Sequence, residues 1–213
     1  MGEVYTASPM MILSEIKEII KRSVSEGRYL HILRVADTAR KLAEFWKLDP
    51  DTAYLAGVIH DAAKRLSPDD LRQSGMVLDD YLDDVFAAYP KVWHALVSDQ
   101  YAKVRFGIDD GLVLDAAKWH TTGKASMLPL AQVVFIADYI EPRREVAPRP
   151  YIESLAYHSL DEAVFTLSTL SLQHLLMQGL AFHPLTVECR NHYLGQISPD
   201  RLKLIICDSS RYF

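Results

Sequence analysis

The sequence is poor in the features that mark several classes of protein. Only two of its 213 residues are cysteine, Cys189 and Cys207, which is too few for a disulfide framework. The N-terminus has no basic, then apolar, then small-residue succession of a signal peptide, so we expect a cytoplasmic location. The longest apolar stretches, such as Met127 to Ile140, are too short and too interrupted to span a bilayer. We therefore expect no membrane partner.

The chain also lacks an excess of basic residues. Its 23 lysines and arginines are outnumbered by 28 aspartates and glutamates, so the formal net charge at pH 7 is -5. A protein that neutralises many backbone phosphates normally carries a basic excess or a basic stripe. We expect no nucleic-acid partner, and any phosphate group that the chain binds should meet a local site.

The sequence does contain helical periodicity. Ile12, Ile16, Ile19 and Ile20 fall on one face of a helix. The chain contains 49% hydrophobic residues and can bury one sizeable core. No hairpin signal or sustained two-residue alternation appears. The sequence therefore predicts an all-α fold, with a single helical bundle over residues 1–195 and a C-terminal tail of unknown role over residues 196–213.

Capping residues indicate where several helices begin. Asp49 and Ser67 are each followed by a proline at the first helical position. Ser159 and Glu162 form a capping box ahead of a helix that runs to about Gln178. Further helices are predicted over about residues 91–106, 110–119, 128–140 and 185–195.

Three segments are predicted to be something other than helix. The Pro148-Arg149-Pro150 segment is expected to be an ordered loop near the functional site, and Leu202 to Cys207 is a candidate short strand. The first ten residues are an extension if the chain starts at Met10 or Met11.

A set of histidines and aspartates forms the candidate metal site. Imidazoles and carboxylates are costly to bury alone, whereas several that converge on cations satisfy one another. The candidate ligands are His31, His60, Asp61, His94, His120 and Asp138.

The pair His60-Asp61 is the most informative part of this set. The side chains of consecutive helical residues point about 100° apart, so His60 and Asp61 can both reach one cation only if they lie at the edge of a helix face. Core packing does not explain two polar residues at such an edge. Asp138 lies inside an apolar stretch, and a carboxylate there needs a cation or strong hydrogen bonds. Taken singly, His31 is better explained as a buried structural histidine, whereas His94 and His120 are each compatible with either role.

Residues suited to phosphate lie close to these ligands in the chain. Lys64 follows His60-Asp61 by one turn and would neutralise charge on a transferring phosphate, so Asp61 and Lys64 are the candidate catalytic residues. The guanidinium groups of Arg28 and Arg144 could donate paired hydrogen bonds to outer phosphates, although an isolated arginine is more often a solvated surface cation. The Thr121-Thr122-Gly123 turn offers hydroxyl and N–H groups. Together these residues predict a metal-dependent phosphate-ester hydrolase.

The order of the ligands resembles that of the HD-domain metal-dependent phosphohydrolases: a histidine, a His-Asp pair and a distant aspartate. Over about residues 14–194 the likeness is closer to the YqeK branch of that family. It rests on these motifs: Arg28-x-x-His31, His60-Asp61-x-x-Lys64, His94, His120-Thr121-Thr122-Gly123, Ala137-Asp138-Tyr139-Ile140-Glu141-Pro142-x-Arg144, and Thr186 with Asn191. The chain departs from the branch at Ser98-Asp99, where Gly-Ala is usual, and near Ser154, where an arginine is usual.

The resemblance implies a single all-α HD-domain bundle that binds two metal ions, with iron as the first expectation and manganese, cobalt or zinc as alternatives. It implies that one ion is held by His31, His60, Asp61 and Asp138, and the other by Asp61, His94 and His120. Asp61 would bridge the two ions. The implied substrate contacts are Arg28, Lys64, Thr121, Thr122, Gly123, Arg144 and Asn191.

The resemblance also implies the reaction. The branch hydrolyses diadenosine tetraphosphate and related dinucleoside polyphosphates symmetrically to two nucleoside diphosphates. Two cations that share a carboxylate can activate a bridging water and clamp the phosphoryl oxygens. Two alternatives stay open: another HD phosphohydrolase that acts on nucleoside mono- or triphosphates or a signalling nucleotide, and a non-catalytic metal-dependent nucleotide sensor. The sequence does not decide the base preference or whether the chain forms a homodimer.

Overall fold

The computed structural model describes residues 11–146 and 148–209, and the predicted extension over residues 1–10 and the last four residues of the predicted tail lie outside them. The described residues form helices and no strand, so the predicted all-α fold is confirmed. No described helix is long and apolar enough to cross a membrane. The helices are α1 Leu13–Ser23, α2 Glu26–Phe45, α3 Pro50–Ile59, α4 Pro68–Gln73, α5 Tyr81–Ala88, α6 Trp93–Leu96, α7 Ser98–Phe106, α8 Gly111–Trp119, α9 Pro129–Ile140, α10 Arg149–Ala156, α11 Leu160–Met177, α12 Pro184–Leu194 and α13 Pro199–Ser209.

Helices α2, α3, α8 and α9 form the centre of the bundle, and α11 packs against α9, α10 and α12. Gly57 lets α3 lie directly on α2, because a Cβ at this position would stand 2.6 Å from the Cα of Ala36. This close crossing brings the C-terminal end of α3, with His60 and Asp61, next to His31 on α2.

The predicted caps are present. The Asp49 side chain accepts a hydrogen bond from the Thr52 N–H at 2.6 Å, and Pro50 occupies the first helical position. The Ser159 hydroxyl accepts from the Glu162 N–H at the start of α11, which ends at Met177 with Gln178 as its C-cap. The reciprocal half of the predicted capping box is absent, because the Glu162 carboxylate binds Arg201 instead. The predicted helices at 110–119, 128–140 and 185–195 are confirmed within a residue as α8, α9 and α12.

Three local predictions were wrong. The single helix expected over residues 91–106 is divided at Val97 into α6 and α7. The expected loop at residues 148–150 is the start of α10, with Pro148 as N-cap and Pro150 in the first turn, where a missing N–H costs nothing. The candidate strand from Leu202 to Cys207 lies within α13. The three- and four-residue spacing of its inward-facing positions 202, 205 and 209 is helical.

The region predicted as a tail contains a helix that packs on the bundle. Arg201 on α13 donates to both oxygens of the Glu162 carboxylate, at 2.9 and 2.6 Å, and the buried Ile205 joins the hydrophobic core. The Tyr151 hydroxyl lies 3.4 Å from the Ile205 carbonyl oxygen. The domain boundary at residue 195 stays a prediction.

Candidate metal centre

The structure brings all six predicted metal ligands together in the middle of the bundle. Five of them are buried, and the Asp138 side chain is 24% exposed. The ligands come from separate elements: His31 from α2, His60 and Asp61 from the end of α3, His94 from α6, His120 from the end of α8, and Asp138 from α9.

The ligand atoms form two adjoining groups. In the first group, the ligand atoms of His31, His60 and Asp138 lie within 4.8 Å of one another, and in the second those of His60, Asp61 and His120 do so. His94 joins the second group, because its Nε2 lies 2.9 Å from Asp61 Oδ1 and 3.1 Å from His120 Nε2.

Asp61 belongs to the second group, and one of its oxygens faces His60, which belongs to both groups. Asp61 Oδ2 is 3.6 Å from His60 Nε2, whereas Asp61 Oδ1 faces His94 and also lies 3.5 Å from His120 Nε2. A carboxylate with its two oxygens arranged in this way can bridge two cations, which supports the bridging role implied by the resemblance.

The histidines are oriented with Nε2 toward the centre. His60 Nδ1 lies 2.6 Å from the Gly57 carbonyl oxygen, and His120 Nδ1 lies 2.6 Å from the Ala117 carbonyl oxygen. Because a carbonyl only accepts, Nδ1 carries the proton in both rings, and Nε2 presents its lone pair to the centre. This is the tautomer that a metal ligand needs.

Buried lone pairs without partners mark the place where cations fit. His60 Nε2 and Asp61 Oδ1 are buried without a hydrogen-bond partner among the described residues. The same holds for His31 Nε2, which lies 3.0 Å from Asp138 Oδ1 but not in hydrogen-bonding alignment with it. Leaving such atoms unsatisfied is costly, whereas a divalent cation would satisfy them together. The mixed imidazole and carboxylate set suits a divalent transition metal.

Electrostatics hold the ligands in their metal-binding protonation states. Burial lowers the pKa of His60 to about 3 and that of His94 to about 4, although the charge of Asp61 opposes both shifts. Burial alone would raise the pKa of Asp61, but His60, His120, His94 and Lys64 hold it well below its ordinary value. At neutral pH the imidazoles of His60 and His94 are therefore neutral and the carboxylate of Asp61 is ionised.

We expect the free energy of unfolding of the metal-stripped protein to decrease as the pH falls from about 6.5 toward 4. In that window His60 and His94 bind protons in the unfolded chain but not in the folded protein, because their pKa values in the folded protein are about 3 and about 4. Each contributes a slope of up to about 1.4 kcal/mol per pH unit. Urea unfolding at pH 7, 6 and 5 measures this slope, and a stability that does not change over this range would contradict it.

Three cationic side chains surround the centre and stay partly exposed. Arg28 Nη1 donates to Asp61 Oδ2 at 2.7 Å, and Arg144 Nη2 donates to Asp138 Oδ1 at 2.9 Å. Lys64 Nζ lies 3.4 Å from Asp61 Oδ1, and burial lowers its pKa although Asp61 opposes the shift. The exposed fractions of these side chains are 36% for Arg28, 33% for Arg144 and 30% for Lys64, so each reaches both the centre and solvent.

The three residues of the predicted Thr-Thr-Gly turn differ in position: the first faces the centre, and the other two support the turn itself. Thr121 Oγ1 lies 3.5 Å from His94 Nε2 and faces the centre. Thr122 is fully buried, and its hydroxyl donates to the Gly123 carbonyl oxygen. Gly123 has a φ of +63°, and a Cβ there would stand 2.5 Å from Cys189 Sγ, so the turn requires glycine.

Asn191 is the predicted site residue that the structure does not bring to the cluster. It is exposed on α12, and its Oδ1 accepts from the neighbouring Arg190. No described contact joins it to the ligands. The substrate contacts assigned to Asn191, Thr122 and Gly123 stay predictions.

Glu141 and Arg34 orient the candidate ligand His31, a role that the sequence analysis did not assign to them. Glu141 Oε1 lies 3.2 Å from His31 Nδ1, and Arg34 holds the same carboxylate with a 2.6 Å hydrogen bond from Nε to Oε2. A carboxylate behind a ligating histidine fixes the ring and increases its basicity. The available signal was the acidic residue that follows Asp138 by three positions.

Two cavities adjoin the centre. The apolar pocket has a volume of about 620 Å³ and meets the centre at Thr121 and Arg144. The polar cleft has a volume of about 370 Å³ and also contains Arg144. The apolar pocket is lined mainly by residues 88–92, the C-terminal half of α11 and residues 180–183. The lining of the polar cleft is Ser25, Gly27, Arg28, His31, Glu141 and Arg144.

Comparison with known proteins agrees with this geometry. The family model described as "HD domain" matches residues 28–143, a span that contains all six candidate ligands together with Arg28 and Lys64, and Arg144 lies one residue beyond it. The chain therefore belongs to the HD-domain family.

Relatives within that family confirm the resemblance to the YqeK branch. The chain is 34% identical over 197 residues to a Staphylococcus aureus protein named "Bis(5'-nucleosyl)-tetraphosphatase, symmetrical", with 91% of this chain and 99% of the relative covered. A Halalkalibacterium halodurans protein of the same name is 30% identical over 179 residues, which cover 83% of this chain and 94% of the relative. A crystal structure from Clostridium acetobutylicum, described as a "predicted HD superfamily hydrolase involved in NAD metabolism", is similar with a TM-score of 0.80 and 31% identity, covering 88% of this chain and 100% of that one.

Proposed function

We propose that this chain is a two-metal phosphohydrolase that cleaves diadenosine tetraphosphate and related dinucleoside polyphosphates symmetrically to two nucleoside diphosphates. The observation that carries the proposal is the pair of adjoining groups of candidate ligands, where Asp61 directs one oxygen toward His60 and the other toward His94, with three cationic side chains beside them. The names of relatives that match over nearly their whole length support the substrate and the symmetrical cut. They do not favour the alternatives of a mononucleotide hydrolase or a non-catalytic sensor.

The ligands divide between two ions. His31, His60, Asp61 and Asp138 hold one ion, and Asp61, His94 and His120 hold the other. Bound cations supply the Lewis-acid charge that activates the attacking water and polarises the phosphoryl oxygens. Iron is our first choice of metal, because the branch typically uses it and imidazole with carboxylate suits it; manganese, cobalt and zinc suit the same ligand set.

The cationic side chains bind and neutralise the phosphate chain. Arg28 and Arg144 already donate hydrogen bonds to the ligand carboxylates, so their remaining N–H groups lie within reach of phosphate oxygens at the centre. Lys64 lies on the side of His94, with 2.9 Å between Lys64 Nζ and His94 Nε2, and neutralises charge that develops on the attacked phosphate. Thr121 offers a hydroxyl at the same edge.

Product analysis tests the proposed function. Purified, metal-supplemented protein is incubated with diadenosine tetraphosphate, and the nucleotides are separated. We expect ADP as the only nucleotide product. AMP together with ATP would contradict the symmetrical cut, and turnover of mononucleotides with none of this substrate would favour the mononucleotide hydrolase.

Replacement of Lys64 by alanine should lower kcat by roughly 10²-fold and leave the metal content unchanged, because Lys64 stabilises charge without being a ligand. Lys124→Ala is the matched control. Lys124 has the same 30% side-chain exposure and also pairs with an aspartate, Asp115, which is not a ligand. Steady-state kinetics and elemental analysis of both variants measure the effect. Loss of the metals from Lys64→Ala, or equal kcat in the two variants, would contradict this role.

A further inference from the structure

The two cavities beside the metal centre differ in chemistry. Both contain Arg144, so they meet where that guanidinium contacts Asp138. A substrate that passes through the centre therefore has one end in the apolar pocket and the other end in the polar cleft.

The apolar pocket offers surfaces that suit a nucleoside. Tyr89 and Phe182 present aromatic side chains to it, and Val92 and Leu170 present aliphatic ones. The ring of Tyr89 is held edge-on by His183, with 4.9 Å between the ring centroids. Its volume of about 620 Å³ lies within the range of small-molecule sites. Aromatic side chains bind bases through stacking, which every base can provide.

The polar cleft offers no such surface. Its described lining contains no aliphatic or aromatic hydrocarbon side chain, and the only ring is the imidazole of His31, which belongs to the metal centre. Arg28 and Arg144 are the cations of this cleft, and their forks match phosphate oxygens. The cleft can therefore hold phosphate groups but has no aliphatic or aromatic hydrocarbon side chain on which a second base can pack.

We infer that the protein recognises the two halves of its symmetrical substrate unequally: the apolar pocket encloses one nucleoside, and the polar cleft holds the other half by its phosphates alone. The inference rests on the proposed function. Its consequence is that the second nucleoside is dispensable, so adenosine 5'-tetraphosphate is also a substrate.

The position of the enclosed adenosine determines which bond of this shorter substrate is cleaved. The oxygen of water bonds to the second phosphorus from the enclosed adenosine, and the bond from that phosphorus to the next bridging oxygen breaks. The leaving diphosphate keeps the bridging oxygen and the electron pair, and the two protons of water are shared between the products and the solvent. The products are ADP, which carries the oxygen from water, and diphosphate.

The test is hydrolysis of adenosine 5'-tetraphosphate by the metal-loaded enzyme in ¹⁸O-labelled water, beside diadenosine tetraphosphate. We expect kcat/KM for the two substrates to agree within about tenfold, because the second nucleoside adds little binding. We also expect the label in ADP and none in diphosphate. A loss of more than about a thousandfold on the shorter substrate would overturn the inference, as would label in the diphosphate.

Two variants separate pocket recognition from loss of folding. Phe182→Ala should raise KM for both substrates by the same factor, about tenfold, with little change in kcat. Phe45→Ala is the control, since Phe45 is 53% exposed and packs against Trp46 and Tyr157, outside the lining of either cavity. An unchanged KM in Phe182→Ala, or a rise for diadenosine tetraphosphate alone, would overturn the inference.

The outcomes also separate this inference from the proposed function. If diadenosine tetraphosphate itself does not yield ADP, the proposed function fails and the inference fails with it. If diadenosine tetraphosphate yields ADP and adenosine 5'-tetraphosphate is not cleaved, only the unequal recognition is wrong.

Discussion

Replacement of Asp61 by asparagine is expected to lower kcat/KM for diadenosine tetraphosphate by on the order of 10³-fold or more and to remove most of the bound metal. The side chain keeps its shape but loses the charge that would serve both ions. The two oxygens of Asp61 face different groups, so the change weakens both ions and not one. Kinetics and elemental analysis of the purified variant measure the two losses.

Glu162→Gln is the matched control for that variant. Glu162 is also a largely buried carboxylate paired with an arginine, but it holds Arg201 on α13 and not the metal centre. We expect Glu162→Gln to lower the free energy of unfolding and to leave kcat and the number of bound ions unchanged. An Asp61→Asn protein with wild-type activity, or with both ions retained, would contradict the bridging role.

Removal of a ligand that belongs to only one of the two groups should remove one ion and leave the other bound. His120→Ala is expected to leave one ion per chain, because the group formed by His31, His60 and Asp138 does not contain His120. Activity should fall by on the order of 10²- to 10³-fold, since a single ion cannot stabilise both the attacking and the leaving oxygen. Elemental analysis of the variant beside wild type gives the metal content.

The control for that variant is His158→Ala, because His158 is 62% exposed and lies on the side of Glu162, away from the ligands. It should keep two ions and full activity. If His120→Ala kept two ions, His120 would not be a ligand; if it kept none, the two groups would not bind independently.

The cluster of candidate metal ligands was predictable because their residue types conflict with their surroundings. Asp138 lies in a mostly apolar helix, and the adjacent pair His60-Asp61 follows a buried helix, so each required an explanation beyond packing. The all-α fold was predictable for a related reason, since caps such as Asp49 and Ser159 act locally and need no tertiary information.

Other features depend on contacts between distant parts of the chain. Glu141 acts on His31 across 110 positions, and no local pattern connects them. The apolar pocket joins three separate segments, so its lining could not be inferred from any one of them. The predicted strand at residues 202–207 failed because a short apolar run does not by itself distinguish strand from helix.

The most direct measurement is a titration of metal-stripped protein with Fe²⁺ under anaerobic conditions, with hydrolysis of diadenosine tetraphosphate and its products followed at each step. The structure predicts that activity rises until two ions are bound per chain, because the six candidate ligands form two adjoining groups that Asp61 would bridge. ADP should be the only nucleotide product throughout. Full activity at one ion per chain, or AMP and ATP among the products, would contradict the account of a two-metal centre that cuts the substrate symmetrically.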